Sequence, residues 1–348
     1  MPLHFVIVTP SFNLDAFIEQ TILSVITQAG DFTIAYHIQD GGSTDGTHAI
    51  LAKWKEWVRD GRFPVFCKGI TFEYAVEKDS GMYHAINLGF ANARTDPRPC
   101  VMAWINADDL LPPGSLAAVA SFFQFEPDAE FVGGRTTLMS DVGFLACLYE
   151  AEARLRSNIV AGIYHNEKHG FIQQEGIFWK SELWEKVGGV NDSLRLAGDF
   201  DLWRRMAAHA EYYCIDSLTG IHRRRAGQLS SNMEAYTNEV LELLKAEVQA
   251  AIPTQKYKSH FAYEMKEHTW KSTEGLPKLS HVRWELEALI SEYRGLDAAH
   301  RDLHSVHLEL DAAHRDLHAK LSRLQNKKWV RLGHVVKVCK FKPVEPLH

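Results

Sequence analysis

Four short apolar runs lie within the first 110 residues: Phe5–Thr9, Ala35–Gln39, Thr71–Val76 and Cys100–Ile105. Apolar residues at helical spacing follow the first three runs, and the acidic or glycine-rich segments of this region lie directly after a run. Strands that alternate with helices favour a mostly parallel sheet with helices on both faces. Such sheets bind ligands at the carboxyl ends of their strands. The pattern therefore predicts an α/β fold with a ligand site along one edge of the sheet.

Composition indicates a globular, reduced protein. The chain has 348 residues, 46% of them hydrophobic, which suffices for one large core or two ordinary ones. The five cysteines are scattered and include no Cys-x-x-Cys pair, so neither a disulfide framework nor a zinc knuckle is expected. The apolar runs are far shorter than a bilayer span, and the strand pattern starts with the first residues. We therefore expect a cytoplasmic protein without a signal peptide.

A sequence repeat near the carboxyl end predicts a coiled coil over residues 282–326. Residues 296–304 recur unchanged at 310–318, two heptads later. Leucines follow a period of seven at Leu289, Leu296, Leu303, Leu310, Leu317 and Leu324. This period implies a left-handed coiled coil, and thus a homo-oligomer, although the second seam is poor in apolar residues. The alternative is a long helix that lies on its own domain.

Charge is distributed unevenly along the chain. Residues 327–348 contain six Lys/Arg and one acid, which gives this tail +5 and the rest of the chain −11 within a total of −6. Apolar residues of the tail fall on one helical stripe, and such a basic amphipathic helix can bind an anionic membrane surface. That would place the protein peripherally at the inner face of the cell membrane. A solvated tail, or one docked on the acidic body, is the alternative, and the acidic body argues against nucleic acid as a partner.

The fourth apolar run is followed by two adjacent acids, Asp108 and Asp109. Carboxylates at the end of a buried strand need a cation or several hydrogen-bond donors, because an unpaired buried charge is costly. A divalent metal ion that carries a diphosphate is the leading candidate for this position. The alternative is that the acids form a turn or cap a helix that begins near Ser115.

Motifs in a fixed order connect these features to a known family. They are Thr9-Pro-Ser-Phe-Asn13, Gln39–Thr47, Glu77–Gly89, Asn106-Ala-Asp-Asp109, Gln173-Gln174, Trp184–Asn191, Gly198–Arg205 and Arg223–Ser230. Together they resemble glycosyltransferase family 2, over about residues 3–232. The resemblance implies the GT-A fold, which is Rossmann-like with a mostly parallel central sheet, followed here by the helical coiled coil.

The resemblance also implies how the chain is divided. Residues 1–250 would form the GT-A domain, with a nucleotide-sugar half at 1–133 and an acceptor half at 134–250. A helical connector at 251–281, the coiled coil and the basic tail would follow. Proteins of this family transfer a sugar from a nucleotide-diphosphate sugar with inversion, and the resemblance implies Mg²⁺ or Mn²⁺ as the cofactor.

In such a protein, residues of the first half would bind the donor. By resemblance, Asp108 is the metal ligand with Asp109 beside it, and Asn106 replaces an aspartate that relatives often carry. Asp40 and Asp79 would contact the ribose and base of the nucleotide, although Asp-Gly-Gly and Asp-Ser-Gly are also ordinary turn formers. The donor cleft would further include Thr9, Pro10, Phe12 and Ala107.

Residues of the second half would carry the transfer step. Asp199 matches the family's general base, which takes the proton of the acceptor hydroxyl as its oxygen attacks the anomeric carbon. Gly198 stands where many relatives carry an acid, and acids are also favoured in any first helical turn. Arg223 and Arg225 would neutralise the departing diphosphate, unless the basic run is a surface loop. The acceptor region is expected at His165, Gln174 and Glu175.

These expectations combine into one hypothesis: a metal-dependent, inverting glycosyltransferase of the hexosyl type, with a UDP-sugar as the favoured donor. The acceptor would be a hydroxyl of a glycan or of a lipid-linked molecule, in the biosynthesis of surface polysaccharide or lipopolysaccharide. The alternative is a noncatalytic nucleotide-binding scaffold that organises partners through the coiled coil, which Asn106 and Gly198 leave open. A sugar nucleotidyltransferase fits less well, because the glycine-rich amino terminus with Arg and Lys that it needs is missing.

Overall fold

The structure is a computed structural model, and it describes residues 2–94, 96, 98–149, 153–166, 170–248, 262–266 and 269–272. The predicted coiled coil at 282–326 and the basic tail at 327–348 lie outside the described residues. Within the described ranges, no helix has both the length and the apolar character needed to cross a membrane.

Strands and helices alternate through the first half of the chain, as the sequence pattern predicts. The strands are β1 (Leu3–Ser11), β2 (Phe32–Asp40), β3 (Gly69–Val76), β4 (Val101–Trp104), β5 (Phe131–Ser140), β6 (Leu145–Leu148), β7 (His165–Asn166), β8 (Gly170–Phe171), β9 (Ile177–Lys180), β10 (Tyr212–Arg224), β11 (Ala262–Lys266) and β12 (Thr269–Ser272). The helices are α1 (Ile18–Ile26), α2 (Thr47–Arg59), α3 (Met82–Ala93), α4 (Ser115–Phe125), α5 (Arg156–Val160), α6 (Ser181–Val187), α7 (Gly198–Ala207) and α8 (Met233–Val248).

One mixed sheet organises the domain, in the strand order β12-β11-β10-β5-β9-β4-β1-β2-β3. The neighbours among β4, β1, β2 and β3 are parallel, as predicted. β9 runs antiparallel to both β4 and β5, and it connects a second parallel pair, β5 and β10, to the first group. β9 follows a short 3-10 turn at Gln174–Gly176 rather than a crossover helix, which a parallel entry would require. The α/β class is confirmed, whereas the mostly parallel sheet is corrected to a mixed one.

The segment 251–281, predicted to be a helical connector, contains β11 and β12. These strands pair antiparallel with each other, and β11 adds parallel to the edge of β10. Apolar and charged residues alternate from Tyr263 to Lys266, which is the period of two that a strand requires. The helical prediction is therefore wrong for these residues.

A hydrophobic cluster covers each face of the sheet. The side chains of β1 alternate between these two faces. Phe5 and Ile7 pack with residues of α1, α2 and α4 in one hydrophobic cluster. Val6 and Val8 belong to a second cluster with residues of α3, α6 and α7. Stacked tryptophans, including Trp104 and Trp203 with ring centroids 5.4 Å apart, fill the second cluster. The two layers fix the carboxyl ends of the strands relative to one another.

The short strand β4 positions the acids that follow it. After β4 the chain turns at Asn106–Asp109, where the amide of Asp109 donates to the carbonyl of Asn106 at 3.0 Å. Leu110 and Ile221 of β10 then form an isolated antiparallel bridge, with N···O distances of 3.0 and 2.9 Å. The acids are thereby tied directly to the strand that carries His222 and the arginine run.

Candidate active site

One cavity of about 1090 Å³ lies at the carboxyl ends of β1 and β4 and extends to α7, α8 and the end of β10. Both predicted halves of the domain contribute to its wall. The predicted site residues found there are Pro10, Phe12, Asp79, Asn106, Ala107, Asp108, Asp109, Gln174, Glu175, Asp199 and Arg225. The acids after β4 and the predicted base therefore face one cavity.

At the centre of the cavity wall, Asp109 and Glu175 flank His222. His222 Nδ1 lies 3.1 Å from Glu175 Oε1 and 3.3 Å from Asp109 Oδ1. The three side chains each offer one ligand atom, and these atoms lie within 4.8 Å of one another. Asp109 and Glu175 are almost fully buried, although His222 retains some exposure. Two carboxylates and an imidazole in this arrangement either share a proton or hold a cation.

The charges in this cluster shift one another strongly. Burial and the nearby Glu175 carboxylate raise the pKa of Asp109 to about 7. Burial alone would lower the pKa of His222, but the carboxylates of Glu175 and Asp109 raise it to about 11. The cluster by itself thus favours a positive charge between the two acids, and a divalent cation could supply that charge.

Neighbouring amides leave acceptor atoms free for such a cation. Asn106 Nδ2 donates to Asp109 Oδ2 at 3.0 Å and to Gln174 Oε1 at 3.1 Å, while Gln174 Nε2 donates to the carbonyl of Trp104. Asn106 Oδ1 and Glu175 Oε2 are buried without a hydrogen-bond partner in the described part of the chain. Buried orphan oxygens beside two carboxylates fit Mg²⁺ or Mn²⁺, which prefer oxygen ligands.

Asp108 lies beside this cluster but is engaged differently. Its Oδ2 accepts hydrogen bonds from Arg225 Nε at 2.7 Å and from Gln228 Nε2 at 3.2 Å. Both donors also line the cavity, and the guanidinium of Arg225 lies over the ring of Phe17. Asp108 thus holds the Arg225 guanidinium at the cavity wall, and its own role as a metal ligand stays a prediction.

Asp199 lies in the first turn of α7 and is half-buried in the cavity wall. Its Oδ1 accepts the Phe200 amide at 2.8 Å and lies 3.5 Å from the hydroxyl of Tyr83. Burial raises its pKa to about 6, and the charge of Glu175 adds to this increase. A Cβ atom at Gly198 would lie 2.6 Å from the Tyr83 ring, so glycine is needed for this contact. A carboxylate with this pKa is suited to accept a proton near neutral pH.

The pKa of Asp199 makes a specific prediction for the pH dependence of activity. The base must be deprotonated to act, so kcat/KM should fall about tenfold per pH unit below pH 6 and level off above it. Initial rates of nucleoside diphosphate release between pH 4.5 and 8 measure this profile. Asp201→Asn is the matched control, because Asp201 pairs with Arg205 outside the cavity, and its profile should keep the same midpoint. A flat profile across pH 6 would contradict the role of Asp199.

Among the predicted nucleotide ligands, Asp79 and Asp40 are used differently. Asp79 lines the cavity, and its carboxylate approaches Gly41 so closely that a Cβ atom there would lie 2.6 Å from Oδ2. Asp40 is fully buried outside the cavity wall, where its carboxylate accepts hydrogen bonds from Gly42 and Ser43 and contacts His48. Asp40 therefore shapes the loop after β2, and its contact with the nucleotide stays a prediction.

Three further predicted residues do not line the cavity. Thr9 is fully buried and its hydroxyl lies 3.0 Å from that of Tyr36. His165 Nδ1 contacts the carbonyl of Gly162 at 2.6 Å. Arg223 is fully buried, and its guanidinium donates to the carbonyl of Asp108 and to Gln20 Oε1. Arg223 thus braces the turn after β4, and its contact with the diphosphate stays a prediction.

The chain is similar to known proteins in sequence over its first part and in fold over most of its length. Residues 6–146 match the sequence model of the family described as Glycosyl transferase family 2. The chain is therefore similar to glycosyl transferase family 2 over these residues. The matched residues include Asp79, Asp108 and Asp109, while Asp199 and His222 lie beyond them. A comparison with curated protein sequences found no match.

Solved structures with a similar fold extend the comparison to the second half. The chain superposes on S. aureus TarS with a TM-score of 0.51 and 14% identity, covering 72% of this chain and 40% of TarS. It superposes on residues 1–349 of TarS in complex with UDP-GlcNAc with a TM-score of 0.51 and 16% identity, covering 72% and 67%. The chain thus spans about 40% of the length of TarS, and the likeness is one of fold, of the GT-A type.

Two side chains of the cavity were missed by sequence reasoning. His222 joins the acids, and Arg224 lines the cavity. Side chains alternate along a strand, so His222 and Arg224 share the face of β10 opposite to Arg223. The sequence of Tyr212–Arg224 is strand-like, and every second side chain of a strand lies on the same face. This pattern could have indicated that His222 and Arg224 face the same side.

Proposed function

We propose that the chain is an inverting glycosyltransferase. It would move a hexose from a nucleotide-diphosphate sugar, with a UDP-sugar favoured, to a hydroxyl of a glycan or lipid-linked acceptor in surface polysaccharide or lipopolysaccharide assembly. The observation that carries this proposal is the cavity whose wall contains both the acids after β4 and Asp199. A noncatalytic nucleotide-binding scaffold has less support, because it has no need of a half-buried carboxylate with a raised pKa in that cavity.

In the proposed reaction, charge develops on the leaving diphosphate while the acceptor oxygen attacks. Asp109, Glu175 and His222 would hold Mg²⁺ or Mn²⁺, which supplies a Lewis acid for the diphosphate oxygens. Arg225, held by Asp108, adds a fixed guanidinium on the donor side. Asp199 accepts the proton of the acceptor hydroxyl from the opposite side of the sugar. Asp79 would orient the nucleotide through its carboxylate.

Thermal shift with a panel of sugar nucleotides tests the donor. A ligand at 100 times its dissociation constant stabilises the native state by about 2.7 kcal/mol, which should raise Tm by roughly 5–10 °C for a domain of this size. UDP-GlcNAc is the first donor to try, since TarS has been solved with it. We expect one donor to shift Tm in the presence of Mn²⁺ or Mg²⁺ and to lose its effect with EDTA. No shift with any donor would contradict the proposal, and a shift without turnover would favour the scaffold.

We also propose that residues 282–326 mediate self-association and that residues 327–348 bind an anionic membrane surface at the cytoplasmic face. Support comes from the leucine period and from the +5 charge of the tail beside a body of −11. Flotation with vesicles that contain phosphatidylglycerol should retain the full chain and release a variant that ends at residue 326. Equal flotation of both proteins would contradict membrane binding through the tail. Flotation of the full chain that added salt does not weaken would contradict it as well.

A further inference from the structure

The cavity extends past Asp199 into a part with a different chemical character. We define the apolar lobe by six residues of its wall: Ile159, Tyr164, Phe171, Ile172, Phe200 and Tyr236. They come from α5, the segments around β7 and β8, α7 and α8. The donor side, by contrast, is lined by acids, amides and arginines. The cavity thus changes from charged to apolar at the position of the proposed base.

The apolar lobe lies directly beside Asp199. Phe200 is the next residue of α7, and the pKa of Tyr236 is raised by burial and by the charge of Asp199. The rings of Phe171 and Tyr236 pack at a tilt of 59°, with centroids 6.0 Å apart. Phe171, Ile172 and Tyr236 are half-buried, so these side chains keep surface that faces the cavity. An acceptor with its hydroxyl at Asp199 would therefore place its neighbouring atoms in this lobe.

Polar atoms around the lobe are largely used within the protein. The guanidinium of Arg204 donates to the carbonyl of Val160 at 2.9 and 3.0 Å. The hydroxyl of Tyr164 accepts hydrogen bonds from the Leu155 amide and the Asn158 side chain. Arg195, Ser230 and Ser231 also belong to the cavity wall, but they are exposed at its rim. What remains for a ligand inside the lobe is mainly ring faces and aliphatic surface, together with the hydroxyl of Tyr236.

We infer that the acceptor is an amphiphile whose apolar group adjoins the reacting hydroxyl and binds in the apolar lobe. This inference rests on the proposed function, and it narrows the acceptor to molecules with an aliphatic chain or hydrophobic ring near the hydroxyl. A plain glycan would leave most of its hydroxyls unpaired against these side chains, which costs free energy. An apolar group gains affinity there from burial alone. Exposed Leu229 and Met233, also in the wall, continue the apolar path towards solvent.

Calorimetric titration of the full chain with n-alkyl β-glucosides tests this inference without donor or metal. Methyl, butyl, hexyl and octyl glucosides share one head group and differ in chain length, and all are used below their micelle concentrations. The dissociation constant should fall by about fourfold with each methylene that enters the lobe, until the lobe is filled. Phe171→Ser and Tyr236→Ser should each lose at least about tenfold of the affinity for octyl glucoside, with unchanged affinity for methyl glucoside. Thermal melts verify that both variants fold.

Two exposed phenylalanines outside the cavity wall serve as matched controls. Phe66 lies before β3, and Phe144 lies in the turn between β5 and β6. Phe66→Ser and Phe144→Ser should bind octyl glucoside like the unchanged protein. Affinity that is independent of chain length would overturn the inference. Affinity for octyl glucoside that survives both Phe171→Ser and Tyr236→Ser would also overturn the inference, whether binding then depends on Phe144 or on residues 327–348.

The same protein samples distinguish this inference from the proposed function. If a donor shifts Tm but the affinity for alkyl glucosides does not depend on chain length, only the inference of an amphiphilic acceptor is overturned. If that affinity depends on chain length through Phe171 and Tyr236 but no donor binds, the proposed glycosyltransferase function is contradicted. The cavity would then be a binding site for amphiphiles.

Discussion

Replacement of Asp199 by asparagine is expected to lower kcat by about a thousandfold, while donor binding is retained. Asparagine has nearly the same size and can still accept the Phe200 amide through its oxygen, but it cannot take a proton. The acceptor hydroxyl would then have to lose its proton to water. The rate of sugar transfer and the donor-dependent shift in Tm, measured on the same samples, separate these two effects.

Asp201→Asn is again the control for this substitution. Asp201 lies two residues further along α7 and pairs with Arg205, so its replacement should lower stability but leave kcat within about threefold. Full transfer activity in Asp199→Asn would show that a group other than Asp199 acts as the base. Loss of donor binding in that variant would indicate that Asp199 supports the fold of the cavity rather than the proton transfer.

A second large effect is expected at Asp109. Asp109→Asn should reduce metal-dependent donor hydrolysis by at least about a hundredfold, because metal assistance supplies several kcal/mol to the departing diphosphate. The substituted amide oxygen can still accept the Arg223 amide, which Asp109 Oδ1 now accepts at 2.8 Å, so we expect the fold to persist. Donor hydrolysis is measured as nucleoside diphosphate release over a series of Mn²⁺ concentrations. By resemblance, Asp108→Ala should show a comparable loss.

Asp60→Asn provides a matched control for charge removal. Asp60 follows α2 at the surface and pairs with Arg59, far along the sequence from the residues of the cavity wall. This variant should retain the Mn²⁺ dependence of the unchanged protein. Hydrolysis that survives in Asp109→Asn, with the same response to Mn²⁺, would exclude Asp109 from the metal site.

The sequence carries enough information for the first half of the sheet. Each of the apolar runs that ends at Thr9, Gln39, Val76 or Ile105 corresponds to a strand, because buried parallel strands need continuous apolar sequence. Asp79, Asp108 and Asp109 could likewise be placed at the cavity, since parallel strands end at the same edge of the sheet. Local pattern and tertiary position agree in this part of the chain.

The rest of the site depends on contacts between distant segments. Glu175 reaches His222 only because β9 and β10 both join β5, and no local pattern specifies which strands become neighbours. Asp40 and Asp79 have similar turn sequences, but Asp40 is occupied by Gly42, Ser43 and His48. Arg223 differs from Arg224 only by the strand face on which it falls. Sequence alone selects the right residue types here, and the packing decides which of them faces the ligand.

The bridge between Leu110 and Ile221 has a consequence for the order of events in a reaction cycle. Because it fixes the turn after β4 to β10, the carboxylate of Asp109 and the imidazole of His222 are preassembled before any donor arrives. Cation capture then requires release of a proton rather than closure of a loop. Domain opening around the sugar would have to carry both segments as one rigid body, so their amide hydrogens at Leu110 and Ile221 should exchange with solvent at matching, slow rates.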